Sequence, residues 1–204
     1  MRSIVLAGAL LALTSASAGA ESLNFTIFKE ADPIGHDTYT IDKVGDLTKV
    51  RVEMQTDVKV LFIEYHYHQD RTETWKDGQI QSLVSDTNDD GTKHHVDLKR
   101  DGAALVASAD GAPKTVPANV VPFTLWTNQF LKALTIFDVS NFGLLKVSVE
   151  DKGGETVSLA GKSIDAHKFH LTGDINWDLW YGPDGGLLKT AFKRRGYPIS
   201  FVRQ

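Results

Sequence analysis

The recurrence of Asp-Gly and Gly-Gly pairs between runs of alternating side chains constrains this chain more than any other feature. Asp77-Gly78, Asp90-Gly91, Asp101-Gly102, Gly153-Gly154 and Asp184-Gly185 are residues that tolerate the positive backbone angles of tight hairpin turns. The runs around them alternate, as in "LNFTIFKE" over 23–30 and "LTKVRVEM" over 47–54. In the second run Val50, Val52 and Met54 take one side and Lys49, Arg51 and Glu53 the other. Side chains two apart on a strand share a face, so this is the pattern of a half-buried antiparallel strand. Pro33 and Gly35 in "ADPIGHD" read as a break before the next strand.

One segment argues for a helix. In "VPFTLWTNQFLKALTIF" apolar residues fall at near-helical intervals after Pro122, which predicts a short helix over 124–134. The expected fold class is therefore mainly β. It is a single curved antiparallel sheet or partly closed barrel, with one or two short helices that could plug its open side.

The first residues combine a positive charge at Arg2, an apolar run from Ile4 to Leu13, and Ala18 and Ala20 at A-x-A spacing. This is the pattern of a signal peptide over 1–20 with cleavage near Ala20, so residues 21–204 are expected to form one β-rich domain that is periplasmic or secreted. The apolar run is shorter than the ~20 residues a transmembrane helix needs, and no later segment approaches that length. The chain has no cysteine. With no disulfide to form in an oxidising compartment, stability must come from the core. A formal net charge of −4 without a basic block gives little attraction for phosphate backbones, and nucleic acid is not an expected partner. Lys193, Arg194 and Arg195, beside a Gly-Tyr-Pro turn, read as a solvated hairpin end.

The stretches "PIGHD", "EYHYHQDRTETWKDGQIQSL", "SDTNDDG" and "WDLWYGPDGGLLKTAFKRRG" together resemble a family of uncharacterised secreted bacterial proteins. Those proteins are built as curved antiparallel sheets shaped like the half-barrel lipoprotein carriers of the periplasm. The resemblance implies location and fold, with a concave apolar surface as the working part. A fold by itself transfers no function.

The segment "FIEYHYHQDRTETW" (62–75) offers two candidate sites in opposite reading frames. One frame holds Glu64, His66 and His68, where an H-x-H pair could place two imidazoles on a divalent metal. The other holds Tyr65, Tyr67, Glu73 and Trp75, joined from later segments by Trp126, Trp180 and Tyr181. Aromatics with polar tips suit the lining of a ligand groove. Leu61 and Ile63 precede the tyrosines in this second frame, so it is expected to face the concave side, with Glu64, His66 and His68 turned out. A bulge near Gln69 would invert the downstream half.

The sequence has no G-x-S-x-G, S-x-x-K or H-E-x-x-H motif, and nothing in it calls for a cofactor. The expected function is a non-enzymatic protein that binds or carries an apolar or amphipathic small molecule on the concave face. Two alternatives stand beside it. One is a hydrolase or isomerase using Glu73 with a histidine as acid and base; the other is a scaffold that binds another envelope protein through an exposed sheet edge.

Overall fold

The computed structural model describes residues 20–60, 63–117 and 120–204. The signal-peptide reading, apart from Ala20, lies outside the described residues. The remainder forms fifteen strands. They are β1 (Glu21–Lys29), β2 (Asp32–Val44), β3 (Leu47–Val60), β4 (Ile63–Lys76), β5 (Gln79–Asp89), β6 (Thr92–Asp101), β7 (Ala104–Ala109), β8 (Ala112–Lys114), β9 (Val121–Pro122), β10 (Thr135–Phe137), β11 (Leu144–Leu159), β12 (Lys162–Gly173), β13 (Trp177–Tyr181), β14 (Leu187–Arg194) and β15 (Tyr197–Arg203).

All fifteen belong to one curved sheet in the order β8-β7-β6-β5-β4-β3-β2-β1-β15-β14-β13-β12-β11-β10-β9. Each pairing is antiparallel except that of β9 with β10. The chain meanders out to one edge at β8, crosses over, and returns from the other edge until β15 pairs with β1. The two edges are only three and two residues long and carry Pro113 and Pro122. Short, proline-bearing edges give another chain little backbone to pair with.

The turn chemistry acts as the sequence suggests at most sites. Asp77-Gly78 and Asp90-Gly91 have positive φ at both residues, as a two-residue hairpin requires. Gly153-Gly154 does not turn the chain; it lies inside β11, where the pairing with β12 shifts between Asp151 and Gly153. Gly153 spends its positive φ of 80° on a bulge, and its N–H donates to Asp151 Oδ1 at 2.8 Å. The break expected at Pro33 and Gly35 is likewise absent, since β2 runs through both and answers a register shift opposite Ile27 and Phe28.

Gly35 is required for a different reason. A Cβ there would sit 1.9 Å from the Gln55 carbonyl oxygen on β3. Gly35→Ala is expected to lower the free energy of unfolding by roughly 1 to 3 kcal/mol, the scale of a forced steric overlap, as read by urea denaturation. An unchanged midpoint would mean that the two strands can part at no cost.

The expected helix over 124–134 does not form; only Gln129–Lys132 makes a 3-10 turn. The Phe123 N–H donates to the Phe137 carbonyl at 3.0 Å, and β9 pairs with β10. A straight helix over 124–134 would separate its ends by about 16 Å, whereas these contacts bring the flanking residues side by side. The segment instead folds into an irregular plug. Leu125, Phe130, Ile136, Phe137, Val139 and Phe142 are buried in the main core, while Leu134 stays exposed.

Candidate functional site: a half-filled barrel with a polar floor

The pairing of β3 with β4 is uninterrupted from Leu47 opposite Lys76 to Val60 opposite Ile63. No bulge inverts β4, so every second residue from Tyr65 to Trp75 points inward. Tyr65 and Tyr67 are half-buried, and Gln69, Arg71, Glu73 and Trp75 are buried. The opposite frame faces outward and its members have separate partners. Lys59 donates to Glu64 at 2.6 Å, His66 pairs with Asp57 at 2.6 Å, and His68 pairs with Asp70 at 2.9 Å. Among the described residues, no group of three or more His, Asp or Glu side chains converges as a metal site would require.

The inward polar residues form one connected network. Glu73 Oε1 accepts from Arg71 Nε at 2.7 Å, and its Oε2 accepts from the indole N–H of both Trp75 and Trp126, each at 2.8 Å. Arg71 also donates to Gln69 Oε1 at 2.5 Å and to Thr124 Oγ1 at 3.2 Å. Gln69 in turn donates to the Tyr67 hydroxyl at 3.2 Å and to Thr87 Oγ1 at 3.1 Å. Burial works against the Arg71 charge, but Glu73, Tyr39 and Asp37 hold its pKa above the ordinary arginine value. A carboxylate that accepts three hydrogen bonds is the condition under which a buried Glu is tolerated.

Beside this network, Asp37 on β2 is 2 % exposed. Its Oδ2 accepts from the Tyr39 hydroxyl at 2.8 Å, whereas Oδ1 has no partner. Burial raises its pKa to about 7, against the opposing pull of Arg71 and of the Tyr39 hydrogen bond, with Glu73 adding to the rise.

Above the floor lies a cavity of about 570 Å³. Asp37, Tyr39, Tyr67, Gln69 and Arg71 reach it from below. Its walls are apolar, among them Ile27, Met54, Phe123, Trp177, Phe192 and Ile199. The Trp177 and Phe192 rings stack 3.8 Å apart. The mouth is polar and includes Tyr65, Asp89 and the end of the β14–β15 hairpin.

The structure divides the sequence-derived site residues into three groups. Tyr65 and Tyr67 line the cavity. Glu73, Trp75 and Trp126 do not; they are knit together beneath the floor, and the two indoles pack edge to face with centroids 5.5 Å apart. Tyr181 is buried in the core against Phe169, with no hydrogen-bond partner for its hydroxyl. Trp180 must be corrected outright. It faces the convex side with Val157, Leu159, Ala166 and Leu188, under Lys168 at 4.6 Å and Lys189 at 5.3 Å. Adjacent residues on a strand point to opposite faces, so Trp177 and Leu179 inward place Trp180 outward.

Sequence reasoning missed Arg71 and Gln69, although both share the frame of Tyr67 and Glu73, and it missed the Asp37–Tyr39 pair, also two residues apart. Lys193, Arg194 and Arg195 are exposed, as a solvated hairpin end requires, and the same hairpin end borders the cavity.

The shape has a counterpart among solved structures. The crystal structure of a β-barrel-like protein of a domain of unknown function, DUF1849, from Brucella abortus superposes with a TM-score of 0.64. The identity is 11 %, over 91 % of this chain and 96 % of that one, which shows a common fold. No curated protein matches the chain. The model of the domain of unknown function DUF6134 matches residues 25–204, so the chain belongs to the DUF6134 family.

Proposed function

We propose that this protein is a non-enzymatic binding or carrier protein for an apolar or amphipathic small molecule, acting in the periplasm or outside the cell. The observation that carries the reading is the apolar-walled cavity of about 570 Å³ inside the curved sheet. Small-molecule sites commonly span about 300 to 1,000 Å³ and combine apolar walls with a few directed polar groups. Export is supported by the charge, apolar run and A-x-A spacing of the first twenty residues.

The acid–base alternative loses its support at Glu73. Both of its oxygens are engaged by Arg71, Trp75 and Trp126, and it lies beneath the cavity floor. The histidines it would need pair with aspartates instead, as His66, His95 and His167 do. The edge-docking alternative has only short strands to offer.

Titration with a neutral naphthylamine dye tests the reading. Saturable binding is expected. Tyr67→Ala and Phe192→Ala should each weaken it by about 1 to 3 kcal/mol, the scale of a lost buried aromatic surface, while His66→Ala should change it by less than about 0.5. Equal losses in all three variants, or no saturation in the parent protein, would remove the cavity from consideration as a ligand site.

A further inference from the structure

The rim of the cavity is strongly cationic, although the protein as a whole is acidic. Lys29 from β1 and Arg194 and Arg195 from the β14–β15 hairpin line the mouth, while Lys193, between the inward Phe192 and Arg194, turns its side chain to the convex face in the frame of Lys189. Arg194 reaches across the opening to β4, donating to the Tyr65 hydroxyl at 3.2 Å and pairing with Asp89 at 3.3 Å. The Arg195 guanidinium lies 5.0 Å from the Tyr65 ring centroid, and Lys29 Nζ lies 5.1 Å from that of Tyr197. Among the described residues, Arg195 has no ion-pair partner. Arg195 is itself held in a left-handed turn conformation, φ 52°, with Gly196 beside it. One unpaired cation, Arg195 against the Tyr65 ring, and Lys29, whose partner Glu30 lies 4.0 Å away, thus stand at the opening of an apolar space.

From this charge complementarity we infer that the ligand is a single-chain amphiphile with an anionic head group, such as a carboxylate or phosphate. Its chain lies between the apolar walls, and its head sits at Arg195, with Lys29 beside the opening. The inference rests on the proposed binding function and specifies its ligand class. Length and polarity both agree with it. A cavity of about 570 Å³ lies within the range for one drug-sized ligand, which favours one chain over two. An anion at the rim meets cations that remain partly solvated, so neither partner bears the full penalty of burying a charge. At the floor, Arg71 already has Glu73 as its counter-ion, so an anion there would compete with a buried ion pair. The anionic end therefore belongs at the mouth.

Displacement of the neutral dye by laurate, dodecanol and dodecyltrimethylammonium holds the chain constant and changes only the head. Laurate should compete at concentrations about tenfold or more below those of the other two. Arg195→Glu should weaken laurate by at least about tenfold and shift dodecanol and dye by less than about twofold. A parallel sedimentation assay with phosphatidylglycerol vesicles separates a bound amphiphile from a membrane surface as the source of the anion. Equal competition by laurate and dodecanol, or vesicle binding lost in the variant while laurate displacement is unchanged, overturns the head-group assignment and leaves the cavity reading intact. No saturable dye binding overturns both.

Discussion

Replacing Arg71 with Met will lower the free energy of unfolding by about 3 to 5 kcal/mol, the usual consequence of stranding one member of a buried ion pair. The guanidinium has a 2.7 Å hydrogen bond to Glu73 and also holds Gln69 and Thr124. Without it, Glu73 keeps only the two indole N–H donors, in a setting where its residue is 2 % exposed. Glu73→Leu should be comparably harmful, since it strands the Arg71 charge and leaves two buried indole N–H groups without an acceptor. The double variant Arg71→Met with Glu73→Leu should fall well short of the sum, because neither charge is then left alone. Urea unfolding followed by tryptophan fluorescence gives all three values. Losses that simply add, or a loss below about 1 kcal/mol for Arg71→Met, would mean that the two residues are not a coupled unit.

That network also shows where the sequence could be read and where it could not. The frame of β4 was legible, because Tyr65, Tyr67, Glu73 and Trp75 share a period of two and nothing interrupts the pairing with β3. The same rule would have placed Gln69 and Arg71 inward, but two polar residues in a row of aromatics look like the end of a buried run. What makes them tolerable is Thr124, Trp126 and Thr87, which come from other elements. The absent helix has a similar cause. Apolar spacing over 124–134 is a local property, and the pairing of Val121–Pro122 with Ile136–Phe137 overrides it with a closure requirement no local pattern records. The cationic rim was hidden for the same reason. Arg194 meets Tyr65 across 129 residues of chain, so a turn that reads as solvated becomes the mouth of a cavity only once the sheet has curved.

Asp37 supplies the other large effect, and it runs opposite to the usual behaviour of a carboxylate in an ion pair. In the unfolded chain its pKa is near 3.8, and in the folded protein burial raises it to about 7. Between those values the folded state retains a proton that the unfolded state has lost. Its contribution therefore weakens the protein progressively as pH rises from about 4 to about 7, reaching about 4 kcal/mol above that window. Tyr39, Arg71 and Glu73 face the carboxyl and set the size of the effect. Asp37→Asn keeps an acceptor for the Tyr39 hydroxyl and cannot ionise. The variant should match the parent near pH 4 and exceed it by about 2 to 4 kcal/mol at pH 8, so the difference between their urea-unfolding curves should grow with pH. Because both proteins share every other titrating group, that difference isolates Asp37. A constant difference from pH 4 to pH 8 would mean that the carboxyl is charged throughout, with Oδ1 reached by a partner from the cavity side.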